Sequence, residues 1–197
     1  NRLAWGAAPG QVEQIAKQGV MRWIDRQLGV TEIDDPALAG LRGEYDILSL
    51  TPEELLRRYV QLQQDQRSVR RQADRTPGMT PGQPAGNPVP GAREFRALAG
   101  ELQQLVVVRA IRSDHQLAEV MADFWTNHFN VFYGKNLDRV YLPAYIEGSI
   151  RPRALGSFEA LLVATAKSPA MMVYLDNAQS IAPGSRPPQF HRLRRAA

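Results

Sequence analysis

The sequence predicts an all-α protein, an irregular helical bundle with one long Pro/Gly-rich loop. Apolar residues recur at three- and four-residue spacing along most of the chain, the period of one helix face. No apolar–polar alternation extends beyond about four residues, so a half-buried strand has no signal. Helix-start chemistry, a hydroxyl or carboxylate side chain placed just before proline or three residues before Glu or Gln, recurs at Asp35, Thr51, Ser113 and Ser168.

The first helix is expected over 9–28, with Pro9 at its first position and Gly29 ending it. Its apolar stripe is Val12, Ile15, Ala16, Val20, Trp23 and Ile24. Asp35-Pro36 caps a short helix reaching Leu41. Thr51-Pro52-Glu53-Glu54 is the clearest start in the chain, because the Thr51 hydroxyl and the Glu54 carboxylate can each satisfy the other's backbone amide. The helix that follows, ending near Asp74, carries the thin stripe Leu55, Tyr59, Leu62 and Val69 among Arg and Gln, the pattern of a solvated outer helix.

Residues 76–91 hold five prolines and four glycines in sixteen positions, the composition of a linker or loop. A second helical block opens near Arg93, with Phe95, Leu98, Ala99, Leu102, Leu105, Val106 and Ala110 on its buried face. Ser113-Asp114 caps the next helix, expected over 114–132 and ended by Gly134. Leu117, Val120, Met121, Phe124, Trp125, His128 and Phe132 form its inner side. Pro143 opens a short helix to Ile150, another covers 157–167, and Ser168-Pro169 starts a last one reaching Asp176. The expected organisation is an N-terminal arm over 1–75, the linker over 76–91, a central bundle over 92–180 and a basic Pro/Arg-rich tail over 181–197.

Composition narrows the function. The 197 residues are 44% hydrophobic and 22% charged, ordinary globular values, with no cysteine for disulfides, thiolate catalysis or thiolate-held metal. No apolar run is long enough to cross a bilayer as a helix, so no membrane span is expected. The net charge of +4 lies in the tail: residues 184–197 contain Arg186, Arg192, Arg194 and Arg195 and no acid, leaving the rest neutral. A neutral body argues against nucleic acid as a partner.

The segment with most chemistry is Asp123-Phe124-Trp125-Thr126-Asn127-His128-Phe129-Asn130. Asp123, Asn127 and Asn130 fall at i, i+4 and i+7 and form a candidate binding face. His128 sits on the aromatic side, where an imidazole can act as base or ligand; the plainer reading is a hydrogen-bonded core histidine. With only His115, His128 and His191 in the chain, and no His-x-x-x-His pair, no metal site is read from spacing. His115 is expected to face solvent at a helix start. Glu147 and Arg151 are expected to form a surface i, i+4 ion pair. Asp176 and Asn177 end a helix, where they can turn inward or cap a carbonyl. His128, Asp176 and Glu147 are the candidate catalytic trio, and Asn177 joins the candidate binding residues. No cofactor is specified, since neither a phosphate-binding Gly loop nor a Gly-x-Ser-x-Gly elbow is present.

Four ordered blocks carry a family resemblance. They are Asn1-Arg2-Leu3-Ala4-Trp5-Gly6 with Pro9-Gly10 and Trp23-Ile24; Asp123-Phe124-Trp125 with Asn127-His128-Phe129-Asn130-Val131; Ile150-Arg151-Pro152 with Ala154-Leu155-Gly156 and Phe158; and Ala166-Lys167-Ser168-Pro169-Ala170-Met171-Met172 with Tyr174-Leu175-Asp176-Asn177. Together they resemble the large bacterial family called domain of unknown function 1800. The resemblance implies an architecture and an exported, periplasmic or secreted, setting, without a reaction. It also implies, as a possible partner, the sulfatase-like protein often encoded beside members. Members continue past the Leu-Asp-Asn block into a segment absent here, so the chain is expected to be a truncated member.

Two readings remain open on the sequence. One is an exported, non-catalytic interaction or scaffold module. The other is the N-terminal half of a hydrolase or metal-dependent enzyme with its site near His128.

Overall fold

The computed structural model describes residues 3–29, 35–73, 90–135, 137–181 and 183–184. Among them the regular structure is helical and no strand occurs, so the all-α expectation holds. The linker at 76–89, the tail beyond 184 and His191 lie outside the described residues.

The expected first helix is two: α1 (Gln11–Gln18) and α2 (Val20–Leu28). Gly19 separates them at φ 95° and ψ 125°, a conformation only glycine adopts at little cost, and α1 starts after Gly10, leaving Pro9 outside. The expected stripe is only half-buried at Ile15, Trp23 and Ile24 and exposed at Val12, Ala16 and Val20. The buried residue of the pair is instead Gln27.

Asp35 caps a 3₁₀ turn at Pro36–Leu38, accepting from the Ala37 amide at 2.9 Å. After the short α3 (Leu41–Glu44) and a 3₁₀ turn at Asp46–Leu48, the chain enters α4 (Pro52–Ala73) through the expected capping box. The Thr51 amide donates to Glu54 at 2.8 Å, and the Glu54 amide donates to the Thr51 hydroxyl at 3.2 Å. The remaining α-helices are α5 (Pro90–Arg112), α6 (Gln116–His128), α7 (Asp138–Tyr145), α8 (Phe158–Ala166) and α9 (Pro169–Tyr174). Gly91 permits the close approach of α4 and α5, because a Cβ there would lie 3.3 Å from the Leu62 side chain.

Two apolar clusters form the core. The first joins Leu41, Ile47 and Leu55 to Leu98, Leu105 and Val140, so residues on both sides of the linker share it. The second gathers Val131, Leu142, Tyr145, Ile150, Leu161 and Ala170. Leu102 and Tyr141 pack against both clusters and join them.

Three sequence expectations about the central helices are corrected. α6 starts at Gln116 and stops at His128, so it is shorter at both ends than expected. Its buried face is Gln116, Leu117, Ala118, Glu119 and Ala122, while Phe124, His128 and Phe132 are exposed. Pro143 does not open a helix; it lies inside α7, where it has no amide to give the preceding turn. The backbone then widens into a π turn at Ile146–Ile150, with the Ile146 amide shared between the carbonyls of Leu142 and Pro143, and closes as a 3₁₀ turn at Arg151–Arg153.

The start of α6 is capped from a distance. The Asp35 carboxylate accepts from the Ser113 hydroxyl at 2.7 Å and from the Asp114 amide at 2.9 Å. Burial alone would push that carboxyl up, but the Ser113 hydroxyl and the amides of Ala37 and Asp114 outweigh it and hold the group below its ordinary range. Gln27 accepts from the Leu117 amide at 3.1 Å and donates to the Asp114 carbonyl at 2.9 Å. Gln116 accepts from the Trp5 amide at 3.2 Å and donates to the carbonyls of Ala110 and Ser113. The N-terminal segment is therefore fastened to α6 by polar contacts.

Candidate functional site

The last turns of α6 present an aromatic cluster. Phe124, Trp125, His128 and Phe129 follow the helical spacing that brings i and i+4 side chains together, and Phe158 joins them from the first position of α8. His128 stacks on Phe124 with centroids 5.9 Å apart and meets Phe129 edge-on at 4.9 Å. Trp125 stacks on Phe129 at 5.9 Å and leans on Phe158 at 5.8 Å. The indole is fixed by its Nε1–H, which donates to the Ala154 carbonyl at 3.0 Å. The cluster sits at the surface: Phe124 is 50% exposed and Phe158 53%. His128 is exposed as well, so the expectation of a core histidine on an inner face is corrected.

The polar residues flanking His128 do not form one face. α6 ends at His128 and is capped by Phe129, so Asn130 leaves the helix before its i+7 position is reached. The Asn127 amide group donates to the Asp123 carbonyl of its own helix at 2.9 Å. Asp123 lines a cavity of about 50 Å³ with Arg109, Glu119 and Arg151.

Below that cavity lies a charged network that the sequence spacing did not reveal. Arg151 is not a surface residue. It is 7% exposed and grips Glu119, 5% exposed, through two hydrogen bonds of 2.6 and 2.7 Å. The buried Arg109 holds Glu147 in the same two-pronged manner at 2.8 and 2.9 Å. Glu147 approaches Arg151 at 3.7 Å, so the expected i, i+4 contact exists, but as the link between two stronger pairs. Burial works against the Arg151 charge, and Glu119 together with Glu147 more than restores it. The four charges cancel. Two of the four residues, Arg109 and Glu119, could not be picked from the sequence, because their partners are 38 and 32 residues away.

Asp176 and Asn177 stand elsewhere. Asp176 adopts the left-handed conformation at φ 58° after α9, faces solvent and pairs with Lys135 at 3.6 Å. It neither turns inward nor caps a carbonyl through its side chain. The Asn177 amide contacts the Met172 sulfur, and its oxygen accepts from the Ser180 hydroxyl at 2.8 Å. His128, Glu147 and Asp176 are thus held by three separate sets of partners: aromatic rings, two arginines and a lysine. Among the described residues, no group of three or more His, Asp or Glu side chains is placed to hold a metal.

His115 also departs from expectation. It is half-buried immediately before α6, and its Nδ1 is buried without a partner. A second orphan is Asp138 in the first turn of α7, 0% exposed, with neither carboxylate oxygen hydrogen-bonded among the described residues. Burial raises its affinity for a proton; Lys135 opposes that and Asp176 adds to it.

Three of the four sequence blocks now have structural places. The Asp123–Val131 block forms the aromatic end of α6, Ile150-Arg151-Pro152 closes the π turn over the charged network, and Ser168-Pro169 caps α9. The family model described as protein of unknown function (DUF1800) matches residues 1–185. The chain belongs to this family. No curated protein and no solved structure matches it. In this DUF1800 member α6 contributes both Glu119 to the buried Arg109–Glu147–Arg151–Glu119 network and Phe124, Trp125 and His128 to the aromatic cluster. No helix among the described residues is long and apolar enough to cross a membrane.

Proposed function

We propose that this DUF1800 chain is a helical interaction module that docks a partner protein on the aromatic face of α6 and α8. One observation carries the reading. Five rings, those of Phe124, Trp125, His128, Phe129 and Phe158, are in continuous contact; Trp125 and Phe129 anchor the group on the second core cluster, while Phe124, His128 and Phe158 are exposed at the surface. Rigid, partly exposed aromatic side chains contribute much of the energy at protein interfaces, because little side-chain freedom remains to be lost on binding. Leu162, one turn on from Phe158 along the same face of α8, is also exposed. The charged network beneath it supports a platform role: it locks α5, α6 and the π turn to one another and leaves no net charge to a ligand.

In this reading residues 1–75 are an arm that braces the bundle of 92–180, and the protein works outside the cytoplasm. The partner is the sulfatase-like protein that the family resemblance implies. The enzyme alternative would draw on His128, Glu147 and Asp176, each of which contacts a different set of partners here.

Hydrogen–deuterium exchange on the chain alone and with the sulfatase-like protein tests the proposal. Protection at the end of α6 and the start of α8 is the expected result. Unchanged exchange there, or protection confined to other elements, would overturn it.

A further inference from the structure

We infer a second binding site, between the α1–α2 pair and the start of α6, whose ligand is a neutral sugar. A cavity of about 560 Å³ lies there, within the size range of small-molecule pockets, roughly 300–1,000 Å³. Its wall includes Gln14, Gln18, Trp23, Arg26, Asp114 and His115. The site shares no residue with the aromatic face of α6 and α8.

The chemistry of the wall selects the ligand class. Its amides, one carboxylate and an imidazole offer donors and acceptors in near balance, as hydroxyl groups require, since each hydroxyl both gives and takes a hydrogen bond. Among the described residues Arg26 is the one Lys or Arg in the wall, and Asp114 offsets its charge. A phosphate would find little excess positive charge. An apolar ligand would find few partners beyond Trp23 and Ile15. Trp23, half-buried, supplies the flat apolar surface on which the C–H face of a pyranose can rest.

The polar groups are also available, those of Asp114 and His115 on a turn whose backbone is held. The Gln14 amide and the Asp114 carboxylate have no hydrogen-bond or ion-pair partner among the described residues. Gln18 uses its oxygen to accept from Arg26 at 2.9 Å, leaving its nitrogen as a donor. His115 lines the cavity as well, and its Nδ1 is buried with no hydrogen-bond partner among the described residues. The turn carrying Asp114 and His115 cannot drift, because Asp35 accepts from the Asp114 amide and Gln27 donates to the Asp114 carbonyl. Such preorganisation lowers the entropic cost of binding.

Isothermal titration of the full chain with glucose, N-acetylglucosamine and maltose tests the site, with inorganic phosphate as the charged comparison. At least one sugar is expected to bind in the millimolar range or tighter. Gln14→Ala and Asp114→Asn should each weaken it by about tenfold, the loss of a single good hydrogen bond. Neither side chain supports the fold, so circular dichroism should be unchanged in both variants. Three results would overturn the inference: no heat with any of the three sugars, sugar binding that both variants leave intact, or binding of phosphate alone.

Discussion

Arg151 and Glu119, 32 residues apart in sequence, meet as a two-pronged ion pair that is almost fully removed from solvent. The geometry is that of a guanidinium matched edge to edge with a carboxylate, the strongest form of this contact. A buried pair of this kind adds little net stability compared with well-packed apolar residues, but losing one member leaves the other charge stranded.

Arg151→Met should therefore destabilise the protein by about 3–5 kcal/mol in urea unfolding. The double variant Glu119→Leu with Arg151→Met should recover much of that loss, since no charge of this pair is left behind. Additive losses in the two variants would show that the pair is not coupled as the distances indicate.

The Asp35 carboxylate ties the first half of the chain to the start of α6. Asp35→Asn keeps the shape but weakens the acceptor, and should cost about 1–3 kcal/mol at neutral pH. The folded carboxyl holds its proton less tightly than the ordinary value of 3.8, so its stabilisation is complete above that value. It is lost as pH falls below 3.8 and through the folded value. Urea unfolding across an acid series checks this: the variant should have a flatter acid limb than the parent.

Asp138 has the opposite sign. Its folded carboxyl binds a proton more tightly than the unfolded chain does at 3.8, so the group favours folding least above its raised folded value. Stability from this group is highest below 3.8 and falls as pH rises toward the folded value. Asp138→Asn should raise the thermal midpoint at neutral pH and leave it nearly unchanged in acid. Scanning calorimetry at the two pH values decides it.

Gly19 and Gly100 make a matched pair of backbone tests. A Cβ at either position would meet nothing within 4 Å, so packing does not enter. Gly19 sits at φ 95°, and Gly19→Ala should cost about 1–3 kcal/mol in backbone strain. Gly100 lies inside α5, where Gly100→Ala should stabilise by about 0.5–1 kcal/mol. Chemical denaturation of both variants reads the opposite signs directly.

Where the deciding interaction was local, the sequence was readable. The Thr51–Glu54 box, the Ser168 cap and the Asp35-Pro36 turn lie within three residues of the groups they satisfy. The all-α class followed from the same short-range periodicity. What could not be read depended on distant partners. Gln27 is held by a contact 87 residues away, and Arg109 by one 38 residues away, and no local pattern marks either. The aromatic run at the end of α6 was visible as a motif, but its direction was not. α6 turns the Ala118–Ala122 stripe and Glu119 inward, and that rotation leaves Phe124 and His128 at the surface.

The exposed rings of α6 and α8, Phe124 and Phe158, are proposed to serve binding and not folding. The most direct test is the variant Phe124→Ser with Phe158→Ser, measured on one preparation for its urea midpoint and for its affinity for the sulfatase-like protein. The account predicts a midpoint close to the parent's and an affinity reduced by at least about a hundredfold, as expected when two aromatic anchors of an interface are lost. A sharply lowered midpoint with unchanged affinity would contradict it and return the aromatic cluster to the core.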